Sequence, residues 1–393
     1  AILGQSGLPG AGVGFTHGVV NGAGNPVRRI VLPALPKLEN PIDDFIPVAR
    51  IADMLLNPGQ TIDYNGERIT FPDIRLVYWC GGNPFHHHQD LNRLVRAWQK
   101  PETVIVHEPW WNPQARHADI VLPATTALER NDIGASFAGD DRFVLAMQKA
   151  IEPVGEARSD HDIFAGLAGR LGFKDAFTEG RTEMEWLRHL YDVGRQQLAQ
   201  LEVEMPDFDT FWERGHLEFP PDPAPRGMLT DFHADPVANP LATPSGKIEI
   251  FSETVDSFGY DDCPGHATWI EPRERLGSER AEVYPLHMVS NQPKTRLHSQ
   301  LDLGPVSRAT KISDREPMLI NPVDAAARGL KDGDAVRIFN DRGACLAGVE
   351  VSDEVMPNVI KLSTGAWFDP EEPGRPGSLD KHGNPNVLTL DKG

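Results

Sequence analysis

Two short apolar runs, Leu76–Cys80 and residues 103–106, bracket a segment in which Leu91, Leu94, Val95 and Trp98 recur at helical spacing. The order strand, helix, strand is a βαβ unit, and everything between Arg75 and Asp132 is constrained by it. The first run stops at Gly81-Gly82-Asn83-Pro84, a turn signal that lets backbone come close to whatever sits above the strand. In sheets built this way ligands bind beyond the carboxyl ends of the strands. Those ends are residues 81–88, 107–111 and 123–126.

A chain of 393 residues is too long for one ordinary core, so two or three domains are expected. It opens in apolar residues without an initiator Met and reads as beginning inside a longer protein. The GxGxG at residues 10–14 neither follows a strand nor opens a helix, which makes it a tight loop rather than a dinucleotide fingerprint. Prolines 26, 33, 36, 41, 47, 58 and 72 break residues 15–73 into loops, leaving one helix over 48–56. After the βαβ unit, strands are expected at 119–123 and 143–147. Ser159-Asp160 caps a helix through Leu171, and a longer helix runs over 182–201.

From 202 to 244 Pro, Asp and aromatic residues follow no period. Strands then return as KIEIFSE, PLHMVSN, AVRIFND, CLAGVEVS and VIKLSTG, with a hairpin at Asn340-Asp341-Arg342-Gly343 and one helix that has Asn321 as cap and Pro322 in its first turn. Short strands joined by tight turns predict a small β-barrel. The expected fold class is therefore α/β, a doubly wound dinucleotide-binding-like sheet region (1–201), a connecting region (202–280) and a C-terminal small β-barrel domain (281–393).

Composition excludes several functions. Lys plus Arg number 38 against 57 Asp plus Glu, and the net charge of −19 argues against nucleic acid or an anionic membrane as partner. No run of about 18 apolar residues suggests a membrane span, and no leader is visible. Cys80, Cys263 and Cys345 stand singly, without a CxxC pair, against a disulfide framework, a structural zinc or a cysteine-held iron–sulfur cluster. A nicotinamide dehydrogenase lacks its strand-borne GxGxxG here.

Taken together, GGNPFHHHQDLNRL, ARHADIVLPATTALERND, EARSDHDIF, TPSGKIEIFSE, YDDCPGH, RLHSQLD, REPMLINPVDAAARGL, VRIFNDRGACLAGV and NVLTLDKG resemble the molybdenum-dependent dimethyl sulfoxide, trimethylamine N-oxide and biotin sulfoxide reductases. The likeness runs in order from the first residues to the last, and its wording is nearest the biotin sulfoxide reductase branch. It implies a bis(molybdopterin guanine dinucleotide) molybdenum cofactor and reduction of S-oxides or N-oxides by oxygen-atom transfer. It also implies an electron donor, either a protein or NADPH, and a cytoplasmic setting, with the periplasm as alternative.

Carried over by matching motif, Gly82, Asn83, Pro84 and His87 face phosphate or pterin. His107 and Glu108 end the next strand, where a carboxylate can receive a ribose hydroxyl or a base N–H. Asp160 stands where the family reads guanine, and Arg116 and Arg130 are nearby phosphate donors. Ser290, Gln292, His298, Ser299 and Gln300 match the segment that wraps a pterin, with Asn386 approaching from the last stretch. The family's molybdenum ligand belongs to an N-terminal half, so no residue of this chain is assigned as catalytic or as metal ligand. By that resemblance the chain is a C-terminal half whose partner is the N-terminal half of the same enzyme. The alternative is a non-catalytic cofactor-binding module.

Plainer readings compete at several positions. His86-His87-His88 could hold a metal, but consecutive residues in a turn converge poorly on one ion. Trp110 and Trp111 could form a substrate platform, yet paired Trp after a strand more often pack into a core or against another domain. Asp160 alone is a helix cap. Gln292 stands where some relatives have His, which keeps hydrogen bonding but not proton sharing.

Overall fold

The βαβ unit is present in the computed structural model, which describes residues 32–37, 39–135, 142–220 and 229–392. The glycine run at 10–14 lies outside them. The chain divides into two compact units, one of the described residues up to Ile42 with Pro123–Thr268, the other of Asp43–Leu122 with Trp269 onward. The linear boundaries at 201 and 280 follow composition along the chain, whereas these units interleave.

In the second unit a 3-10 turn, Val48–Arg50, leads into α1 (Ile51–Leu56), where the sequence predicts one helix. A hairpin follows, β1 (Thr61–Tyr64) against β2 (Glu67–Thr70). Asn65 and Gly66 both take positive φ at its tip, the geometry Asn-Gly turns favour. β3 (Leu76–Cys80) pairs in parallel with β4 (Thr103–Glu108), from Leu76↔Thr103 to Cys80↔His107, and β5 (Ile120–Pro123) lies beyond β4. β4 runs two residues past its apolar run, so His107 and Glu108 are its carboxyl end. Between β3 and β4 come the short α2 (Pro84–His87) and α3 (Leu91–Trp98). Asp90 caps α3 by accepting from the Arg93 backbone N–H, and Leu91, Leu94, Val95 and Trp98 are all buried. Each such side chain contributes about 2 kcal/mol on burial. The turn α4 (Pro113–Arg116) then leads to β5.

The first unit has an antiparallel sheet of β6 (Asp132–Ala135), β7 (Phe143–Met147) and β8 (His216–Glu218), with β7 central. Around it lie α5 (Asp160–Leu171), α6 (Lys174–Thr178), α7 (Glu183–Ala199) and α8 (Phe208–Arg214). Its core gathers Val144, Leu187, Tyr191, Leu198, Phe208, Phe211 and Leu217. Tyr191 stacks on Phe211 at 4.6 Å and donates its hydroxyl to the Pro206 carbonyl. So α8 and β8 give regular structure to part of a stretch without sequence period. KIEIFSE, by contrast, is not a strand; only Phe251 bridges, to His266. An alternating pattern without a partner strand has no ladder to join.

Returning to the second unit, β9 (His287–Val289), β10 (Pro317–Ile320), β11 (Ala335–Phe339), β12 (Ala344–Val351) and β13 (Val359–Leu362) form a curled, barrel-like mixed sheet in the order β11-β12-β10-β13-β9. β10 runs parallel to β12 and β13 to β9; the other pairs are antiparallel. α9 (Pro322–Ala327) has Asn321 as its side-chain cap, and the β11–β12 hairpin turns at Asn340–Gly343. One apolar core joins this sheet to the βαβ layer: Phe85, Leu91, Leu94, Trp98, Val104 and Val106 with Met318, Ile320, Ile360, Leu362 and Phe368. That shared core sets the carboxyl ends of β3 and β4 beside the loops after β9 and β13.

Candidate cofactor site

After β3, Gly81 and Gly82 both take positive φ, at 78° and 74°, which is why glycine suits the turn. A Cβ on Gly81 would meet nothing within 4 Å, so the backbone here is open to a ligand. Asn83 next accepts from the Phe85 N–H through Oδ1 at 3.0 Å, while its buried Nδ2 finds no partner among the described residues. Pro84 opens α2, which separates the three histidines: His86 and His88 are buried, His87 is exposed. They do not converge on one ion. Burial, helped by neighbouring His87, pushes His86 down to about 4, so it is a neutral ring, and its Nδ1 has no partner among the described residues. Its carbonyl accepts from Asn386 Nδ2 at 3.2 Å.

At the end of β4, His107 is buried and its Nε2 shares a 2.7 Å hydrogen bond with the Tyr78 hydroxyl. Glu108 is half-buried; desolvation raises its carboxyl, opposed by a hydrogen bond with Asn112. A donor at this spot relieves that desolvation. Trp110 and Trp111 are 56% and 68% exposed, not core residues, because Pro109 carries the chain off the sheet before them.

The loop after β9 closes on itself through Gln292. Its Oε1 accepts from the His298 backbone N–H at 3.0 Å, and its Nε2 lies 2.8 Å from His298 Nδ1. The backbone donor orients the amide, so Nε2 donates to Nδ1 and the His298 proton sits on Nε2. The His298 ring is 6.1 Å from that of His87, edge to face. Trp367 donates from its indole to the Ser299 carbonyl at 2.8 Å and tilts over His86 at 5.9 Å. Ser299 is half-buried; Ser290 and Gln300 are exposed on the same loop.

Thus Gly82, Asn83, Pro84, His87, Gln292, His298, Ser299 and Asn386 are brought together around one place. His107 and Glu108 stand on the adjacent strand end. Arg116 instead lies 3.7 Å from Asp369, an ion pair that occupies it. Arg130 and Asp160 belong to the other unit. There Ala124 bridges Arg158, and Arg130 donates to the Thr125 carbonyl at 3.1 Å. Ser159 caps α5 by accepting from Asp162 N–H at 3.2 Å, leaving exposed Asp160 in the first turn. Three residues escaped the sequence reading: Gly365, Trp367 and Gln114. Gln114 is wholly buried, and neither end of its amide has a partner among the described residues. No local pattern marks it.

Residues 1–170 match the family model Molybdopterin oxidoreductase, and residues 286–393 match the Molydopterin dinucleotide binding domain. The chain belongs to the molybdopterin oxidoreductase family. Within it the chain is 52% identical to the biotin sulfoxide reductase of Cereibacter sphaeroides and 49% to that organism's dimethyl sulfoxide/trimethylamine N-oxide reductase, over 100% of its own length. Identity to the trimethylamine-N-oxide reductase of Haemophilus influenzae is 47%. It spans about half of these relatives, 52%, 49% and 49% of each. Acetylene hydratase from Pelobacter acetylenicus shares the fold, with a TM-score of 0.64 at 18% identity over 88% of this chain and 43% of that one.

The residues present suit a molybdopterin dinucleotide. An open glycine turn admits phosphate, Asn83 Nδ2 is an orphaned buried donor, and His298 offers an N–H of fixed tautomer.

Proposed function

We propose that this chain is the cofactor-holding half of a molybdenum oxidoreductase that reduces S-oxides or N-oxides by oxygen-atom transfer. The observation that carries the reading is the constellation of His87, Gln292, His298 and Asn386 within one unit, in a chain alignable throughout with reductases of such oxides. The cofactor is molybdenum bis(molybdopterin guanine dinucleotide), which when bound supplies oxygen-atom transfer and its two-electron change. The chain's own residues bind and orient. Gly82 and Asn83 offer N–H groups and an amide to phosphate, His87 and the His298 Nε2–H to a pterin, and Glu108 and Asp160 accept N–H or hydroxyl donors. Arg130, held on the Thr125 carbonyl and 3.6 Å from Asp132, is the positive group of the same unit as Asp160. Ser290, Ser299 and Gln300 line the pterin segment.

The metal ligand belongs to an N-terminal half of the same enzyme, and a protein or NADPH delivers electrons. Similarity to biotin sulfoxide reductase favours the cytoplasm; among the described residues no helix is long and apolar enough to cross a membrane. The test is molybdenum and released GMP per polypeptide, in the parent and in Asp160→Asn. The expected parent values are about one metal and two GMP, with Asp160→Asn losing GMP at unchanged thermal stability. A parent without either sinks the reading, and a variant with parental GMP removes Asp160 from it.

A further inference from the structure

Behind the loop that carries Gln292 and His298 lie charged side chains sealed from solvent, and we propose that their centre, Asp302, is a positioning residue that sets the loop's cofactor-facing conformation. The proposal rests on the cofactor reading above. Asp302 is 0% exposed, and the side chains of Arg296, Lys311 and Glu316 are 1–3% exposed. Asp302 Oδ1 accepts from Lys311 Nζ at 2.7 Å and from Ser307 Oγ at 3.2 Å, with Arg296 Nε 3.4 Å away. Oδ2 accepts from the Trp367 backbone N–H at 3.0 Å and from His382 Nε2 at 2.8 Å. Arg296 spreads over Glu316, Ser307 and the Thr364 carbonyl, and Lys311 reaches back to Glu316. Burial alone would raise the Asp302 carboxyl, yet His382 and Lys311 hold it well below the usual carboxylate range.

Three of the side chains around Asp302, those of Arg296, Trp367 and His382, come from segments that also hold or fold onto site groups, and Arg296 extends the reach to the Thr364 carbonyl. Trp367 grips the Ser299 carbonyl and leans over His86. Thr364 precedes Gly365, against which the His298 carbonyl packs. His382 comes from the stretch that delivers Asn386 to the His86 carbonyl. The loop turns through two left-handed residues, His298 and Leu301, at φ 50° and 55°, a conformation that surrounding contacts must impose. A well-packed apolar cluster would hold this region as firmly as buried charges do. What the charges add is direction: both carboxylate oxygens are met only when all three segments are in register.

The polypeptide that carries this chain is made with Asp302→Asn and with Asp302→Asn/Lys311→Met. The single change strands a buried cation and lowers Tm by about 10 °C, and the double change removes the excess charge and regains most of it. Despite that recovery, the double variant is expected to release about a third of the parental GMP. Amide exchange of residues 292–302 is expected to run about tenfold faster. If Tm, GMP and exchange protection all return together, Asp302 only balances charge and the proposal fails. Should the double variant not regain its Tm, Asp302→Glu decides, since it keeps the charge and moves the carboxylate: parental GMP and exchange there overturn the proposal, losses in both uphold it. A parent lacking GMP sinks the cofactor reading instead, and amide exchange alone then decides the role of Asp302.

Discussion

At Gly365 a single hydrogen decides the loop above it. The residue sits at φ +89°, and a Cβ there would lie 1.8 Å from the His298 carbonyl oxygen and 2.4 Å from its carbon. Those atoms are backbone, so no side chain can rotate away to make room. Gly365→Ala should therefore cost about 3 kcal/mol in urea unfolding, from the left-handed φ and the displaced loop together; a loss below about 0.5 kcal/mol would mean the loop yields freely. His86 makes the matching case for charge. Its folded value is about 4 against 6.5 in the unfolded chain, because burial disfavours the cation. Between those values the unfolded state binds more protons, so stability contributed by neutral His86 is complete above pH 6.5 and is lost as pH falls toward 4. The amount is about 3 kcal/mol. Unfolding measured across that window in the parent and in His86→Leu should show a shallower slope in the variant, and parallel slopes would reject the assignment.

Elements were legible wherever local chemistry and tertiary partner agreed. α7 is the plainest: the Thr182 side chain accepts from Glu185 N–H while Glu185 accepts from Thr182 N–H, a reciprocal cap written as T-x-x-E. Thr182→Ala should cost about 1 kcal/mol of the first unit's stability by thermal unfolding, and no change would show the helix held by its apolar face alone. The periods of β3, α3, β4 and α5 were readable for the same reason. The β1–β2 hairpin carries its own local signal in Asn65-Gly66, but the seven prolines between 15 and 73 give that region the pattern of loops. KIEIFSE failed in the opposite direction, since strand pattern does not supply a strand partner. Within the candidate site, the glycine turn could be read from Gly81-Gly82-Asn83-Pro84, and the nomination of Gln292, His298 and Asn386 came from motif wording. Gly365, Trp367 and Gln114 could not, because each matters through what folds against it: a carbonyl, a loop and a buried wall.

For the whole molecule the net charge of −19 sets the terms on which an anionic dinucleotide is held. The long-range field repels phosphate, so under the proposed reading binding would rest on close donors: the N–H groups at Gly81–Asn83, buried Asn83 and the His298 Nε2–H. The same reading assigns no metal ligand to this chain. Retention of the dinucleotide and the reductive chemistry should therefore separate when tungsten replaces molybdenum. Cells grown in tungstate should yield polypeptide with GMP content within about a fifth of the normal value, since the donors are unchanged. S-oxide and N-oxide reduction should fall at least about tenfold, since the metal carries the two-electron chemistry and its potential changes when the metal is exchanged. Undiminished reduction in tungstate would place the chemistry outside molybdenum, and loss of GMP along with activity would mean that the metal, rather than the loops around His87 and His298, holds the cofactor in place.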